Sequence, residues 1–131
     1  MRTAAAVLML VLWAGLAWPA PSAAPQRDVT TLTLLYFHAS WCGSCARLDK
    51  AGVVASIQQA HPALRVEKVD VDVDAARLDR YGVTVTPTLV LVDQDGFQIG
   101  RPRIDLDDPT ATVARVVRLV DRATGAAKRK P

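Results

Sequence analysis

The chain has 131 residues and two cysteines, both in the stretch Trp41-Cys42-Gly43-Ser44-Cys45. A pair three apart can pass between dithiol and disulfide and so carry two electrons. That chemistry needs a thiolate, and a free cysteine titrates at ~8.5, so little thiolate exists at neutral pH unless the surroundings favour it. A helix starting near Cys42 supplies such surroundings, through its unpaired N–H groups and the positive end of its dipole. Cys42 is then expected to have a lowered pKa and to act as the nucleophile. Cys45, about one turn further along the same face, is suited to resolve the mixed disulfide formed at Cys42. Gly43 allows a tight turn, and Ser44 tolerates a first helical turn. Two other uses of the pair stay open. A structural bridge closing so short a loop constrains the unfolded chain little. A zinc site normally takes four ligands; His38 and His61 are the only histidines, and Cys42, Cys45 and His38 together still lack a fourth.

The elements that must position the pair follow from the pattern around it. Thr30 to Phe37 is a near-continuous β-branched and apolar run, the signature of a strand buried on both faces. Gly43 to about Ala60 reads as a helix, with Gly52 predicting a kink or break in its interior. Arg65 to Val71 alternates and reads as a strand. Asp74 is a good N-cap for a short helix over Ala75 to Arg80, with Gly82 as its stop. Thr88 to Val92 is a third strand, Asp93-Gln94-Asp95-Gly96 a hairpin turn, and Phe97-Gln98-Ile99 the start of an antiparallel return. Asp108 and Pro109 open a last helix, with Val113, Val116, Val117 and Val120 forming its apolar stripe. The order β-α-β-α-β-β-α predicts a four-stranded mixed sheet with helices on both faces, an α/β three-layer sandwich with a right-handed βαβ crossover.

Residues 1–24 read as a leader rather than as part of this domain. Arg2 is followed by an uncharged apolar run from Ala4 to Trp18, then by Ala, Pro and Ser, the layout of a secretory signal. The run of about 15 residues is short for a spanning helix, which needs ~20; an uncleaved membrane anchor is the rival. The domain is expected over 25–124 and a basic tail over 125–131. The leader carries only Arg2 among charged groups. Without it, 16 basic and 13 acidic residues become 15 and 13, a net charge of +2. Lys128-Arg129-Lys130 accounts for that excess, so the body is near neutral, and no basic face interleaved with aromatics points to nucleic acid. Two cysteines in an exported chain suit a disulfide-permissive compartment. The abundance of Ala, Val, Arg and Asp suggests a bacterial source.

Two stretches together resemble the thioredoxin family: Tyr36-Phe37-His38-Ala39-Ser40-Trp41-Cys42-Gly43-Ser44-Cys45, and Tyr81-Gly82-Val83-Thr84-Val85-Thr86-Pro87-Thr88-Leu89, with Asp95-Gly96 beyond. The likeness covers most of residues 30–122, in the flavour of exported bacterial thioredoxin-like proteins. It implies a thioredoxin-like fold in which Pro87 is cis and lies against the cysteines. Thr86 then presents backbone groups to an extended substrate, and Trp41 shares that contact surface. The chain also departs from the family. Ser44 stands where proline is usual, and Tyr36 stands where many members bury a carboxylate; a phenol titrating at ~10 cannot replace it at neutral pH. Lys68 matches a lysine neighbouring that carboxylate and is either a pKa-tuning residue or a snorkelling strand residue, with Asp70 on the same strand face. His38 stands where tryptophan is common; protonated, it can stabilise a thiolate. Arg103-Ile104-Asp105 replaces a glycine-containing stretch along the substrate groove, which implies a narrower or differently charged groove.

The expected function is a periplasmic thiol–disulfide oxidoreductase acting on protein disulfides, a reductase rather than an oxidase. It needs no dissociable cofactor beyond the Cys42–Cys45 redox pair and no metal. Its partners are protein thiols and disulfides and a further redox partner, which can be membrane-bound; a monomer is expected. The alternatives are a non-catalytic client-binding module on the same scaffold, and a metal-handling one in which the cysteine pair and His38 hold Cu(I), which favours soft thiolates.

Overall fold

The computed structural model describes Pro19 and residues 27–125. Except for Pro19 and Gly125, the expected leader and basic tail lie outside the described residues. The chain forms β1 (Thr33–His38), α1 (Gly43–Lys50), α2 (Val53–Ala60), β2 (Arg65–Asp70), α3 (Ala75–Tyr81), β3 (Thr88–Val92), β4 (Gln98–Gly100) and α4 (Pro109–Thr124). The sheet order is β2-β1-β3-β4, with β2 parallel to β1, β3 antiparallel to β1, and β4 returning antiparallel to β3 as a hairpin. This is the four-stranded mixed sheet predicted from the sequence.

Alternation along β1 divides the core between two faces. Leu34 and Tyr36 face one side, where they meet Cys45 and Leu48 of α1, Ile57 of α2, and Val116 and Val120 of α4. Leu35 and Phe37 face the other, where Val69, Val90 and Val92 complete the layer and Leu78 and Tyr81 of α3 pack on it. All five residues of β3 are buried, as a central strand with both faces covered requires.

The structure refines the sequence reading in its details. Val29–Thr31 form a short 3-10 turn instead of extending β1, because the Asp28 side chain accepts from Thr30 N at 2.9 Å and caps the turn. The helix after the cysteines breaks at Gly52, as expected from the sequence: Gly52 adopts the left-handed conformation at φ 68° and α2 starts afresh after it. Phe97 belongs to the turn, where the Asp93 carboxylate accepts from both Asp95 N and Phe97 N. The ring is 69 % exposed, and β4 begins one residue later. On α4 the fully buried line is Thr112, Val116, Val120, while Val113 and Val117 are half-buried. Thr112 is buried because its hydroxyl is used twice: Oγ1 accepts from Asp105 N at 2.7 Å and donates to Asp105 O at 3.2 Å. That pins the Arg103–Asp105 stretch to α4.

Candidate active site

Cys42 is the N-cap of α1, in extended backbone, with its Sγ accepting from Cys45 N at 3.1 Å. Ser, Asn and Asp are the usual capping residues; here a sulfur takes that place, at the end of the helix where N–H groups lack partners. Cys42 and Cys45 are joined as a disulfide, with Cα atoms 5.2 Å apart. Cys42 is 7 % exposed and Cys45 2 %, so the N-terminal sulfur is the more accessible of the two. Gly43 and Ser44 form the first turn between them.

Around the pair the expected residues fall into two groups. Trp41 is 68 % exposed, and its indole Nε1 donates to Asp72 Oδ2 at 2.9 Å. It lines an apolar cleft of about 450 Å³ with Val71, Val83, Val85 and Thr86. The Thr86–Pro87 peptide bond is cis. Pro87 lines a separate cleft, of about 370 Å³, that includes Arg103 and Ile104.

The second group lies beneath the cysteines. Tyr36 is 1 % exposed, and its hydroxyl donates to the Cys45 carbonyl at 3.2 Å. Burial, and then the charge of Asp49, push its pKa well above the usual tyrosine value. Lys68 is the register partner of Tyr36 on β2. Its ammonium lies 3.2 Å from Asp49 Oδ1 and 5.5 Å from the Tyr36 ring centroid. Lys68 therefore pairs with Asp49 across the sheet–helix boundary, and Asp70 instead accepts from Asp72 N at 2.9 Å. His38 stacks at a tilt on Tyr36, with ring centroids 5.7 Å apart. Among the described residues no three His, Cys, Asp or Glu side chains gather into a metal-binding group.

Asp49 and Asp72 are the site residues the sequence reading missed. Asp49 had a signal: it follows Cys45 by four on a helix, so the two share a face. Asp72 had none, because its bond to Trp41 joins the end of β2 to the loop before α1.

A disulfide at a helix N-terminus beside an exposed indole, in a fold whose buried central strand β3 is preceded by a cis proline, defines the thiol–disulfide oxidoreductase class. Comparison with known proteins gives the family. The thioredoxin family profile matches residues 25–103. Thioredoxin of Listeria monocytogenes is 36 % identical over 89 residues, covering 63 % of this chain and 84 % of that protein. Thioredoxin of Chlamydia caviae is 36 % identical over 72 residues, covering 55 % and 68 %. Among solved structures, a mutant thioredoxin from Halobacterium salinarum superposes with a TM-score of 0.56 at 32 % identity, covering 76 % of this chain and 87 % of that one. The chain belongs to the thioredoxin family of thiol–disulfide oxidoreductases.

Proposed function

We propose that the protein is an exported, periplasmic reductase of protein disulfides. The observation that carries this reading is Cys42 at the N-cap of α1, bonded to a more buried Cys45 one turn behind it. In the reduced protein the unpaired N–H groups of the first turn, Cys45 N among them, stabilise negative charge on Cys42 Sγ. That thiolate attacks a substrate disulfide, forming a Cys42–substrate bond and releasing one substrate thiolate. Cys45, losing its proton, then attacks Cys42 Sγ and releases the second substrate thiolate. Two electrons pass to the substrate, both leaving thiolates take up protons, and the protein is left as the disulfide. No dissociable cofactor enters the cycle.

Trp41, Thr86 and Pro87 form the substrate contact surface, with Trp41 held by Asp72. Gly43 and Ser44 shape the first turn. Lys68 and His38 act on the cysteines at one remove, through Asp49 and Tyr36. Regeneration requires a further dithiol donor, reached in the periplasm through a redox partner that can be membrane-bound. The protein works as a monomer.

Dithiothreitol-driven reduction of insulin tests the mechanism. Cys42→Ser abolishes turnover, and Cys45→Ser accumulates mixed disulfides that resist resolution. Turnover retained by Cys42→Ser contradicts it. Cell fractionation that recovers the protein with cytoplasmic markers contradicts export.

A further inference from the structure

The two sides of the Thr86–Pro87 peptide differ in chemistry. On the Thr86 side the cleft with Trp41 is lined by Val71, Leu78, Val83 and Val85 and, among the described residues, by no cationic side chain. On the Pro87 side the cleft includes Arg101 and Arg103. Arg101 and Pro102 also line the adjoining cleft, of about 370 Å³, whose other wall is Arg115, Arg118 and Arg122 of α4. The two share a lining, so a basic strip runs from Pro87 past the end of β4 onto α4.

Little among the described residues neutralises this strip. The Arg101 guanidinium donates to the carbonyls of Tyr81 and Gly82, which fixes its position and leaves its charge uncompensated. Arg115 is the arginine of the strip with a carboxylate nearby, Asp105 Oδ2 at 3.6 Å, and it also donates to Arg103 O at 3.3 Å. Arg103, Arg118 and Arg122 make no ion pair among the described residues. Guanidinium groups in such an array match carboxylates in bidentate geometry. The strip begins at Pro87, next in the chain to Thr86 of the cleft that Trp41 lines, and that continuity favours an anionic substrate segment over a lipid surface.

We propose that the preferred substrate is a disulfide-bearing protein segment with aspartate or glutamate on one side of its cysteine, seated on the arginine strip, and apolar residues on the other, seated against Trp41. This rests on the reading of Cys42–Cys45 as the exchange site and adds the substrate class to it.

The test uses three synthetic peptides, each with one cysteine disulfide-bonded to 2-mercaptoethanol and flanked by acidic, neutral or lysine residues. Second-order rates of reduction by the reduced protein are compared. At low salt the acidic peptide is expected to react about tenfold faster than the neutral one, the range that electrostatic steering supplies. The advantage should shrink toward unity at ~1 M salt, where the Debye length is ~3 Å. In the triple variant Arg103→Glu, Arg118→Glu, Arg122→Glu the acidic-to-neutral ratio falls below one. The double variant Arg118→Gln, Arg122→Gln lowers the ratio without charge reversal; each ratio is taken within one variant, so a change in basal rate cancels, and each variant is compared only once its circular dichroism and cooperative unfolding match the wild type. An equal rate for acidic and neutral peptides, or a ratio the variants do not change, overturns the proposal. Loss of retention on phosphatidylglycerol vesicles with an unchanged peptide ratio assigns the strip to lipid and also overturns it. If no peptide is reduced, the exchange reading itself fails, a result distinct from reduction without charge preference.

Discussion

Replacing Tyr36 by phenylalanine keeps the ring that fills the core above α1 and removes one hydroxyl. That hydroxyl donates to the Cys45 carbonyl in a buried setting. A neutral buried hydrogen bond contributes about 1 kcal/mol net. The Cys45 carbonyl lies within α1 and keeps its helical donor, so no orphaned acceptor adds to the loss. Tyr36→Phe should therefore cost about 1 kcal/mol at pH 7, or ~4–8 °C in Tm for a domain of this size. The pH dependence carries the sharper signal. Folding raises the pKa of Tyr36 above its ordinary 10.0, chiefly by burial and then by the Asp49 charge. Below pH 10 the phenol is protonated in both states and contributes no slope. As pH rises above 10 the unfolded chain loses this proton while the folded chain holds it, so stability falls by up to about 1.4 kcal/mol per pH unit. The variant lacks that decline. The advantage of the wild type should vanish near pH ~11 and reverse beyond it. Urea unfolding followed by circular dichroism from pH 7 to 11.5 measures both curves. An alkaline decline equally steep in Tyr36→Phe, or a loss above about 3 kcal/mol at pH 7, would refute the placement of this hydroxyl.

Asp72→Ala releases the indole of Trp41. The other tryptophans are Trp13 and Trp18, so the fluorescence of a chain beginning at residue 25 reports Trp41 alone. A shifted emission, reduced anisotropy and a several-fold slower reduction of insulin are expected, with stability changed by less than ~1 kcal/mol because both partners are exposed; unchanged anisotropy would mean that the bond does not hold the ring. Gly52→Ala places a Cβ where φ is 68° and nothing lies within 4 Å. The cost is backbone strain alone, roughly 1 kcal/mol by thermal unfolding, and a variant as stable as the wild type would contradict a left-handed break between α1 and α2.

Much of this molecule is legible in its sequence because local chemistry and global fold agree. The apolar run before Trp41 gives a central strand, the Asp74 and Asp108 caps mark two helix starts, and the Cys-Gly-Ser-Cys spacing predicts a pair at a helix mouth. Where sequence reasoning fell short, a side chain outcompeted a pattern. Asp28 folds Thr30 into a turn although its type favours a strand, and the Asp93 carboxylate keeps Phe97 out of β4. The partner of Lys68 was illegible for a different reason. Asp70 shares its strand face, but Asp49, 19 residues earlier, reaches its ammonium only once α1 packs on the sheet. Likewise, the five arginines of the basic strip are scattered between 101 and 122 in sequence, and come together where the Thr112–Asp105 clasp and the Arg115–Arg103 bond hold α4 against the chain after β4.

The equilibrium reduction potential of the Cys42–Cys45 pair in glutathione and dithiothreitol buffers, followed by alkylation mass shift, tests the central claim most directly. A reversible two-electron transition at or below about −230 mV is the predicted result, because the reduced pair is then a useful donor to protein disulfides. A value near about −120 mV would make the protein an oxidant and contradict the proposed direction. A pair that does not cycle at all would remove thiol–disulfide exchange from its function.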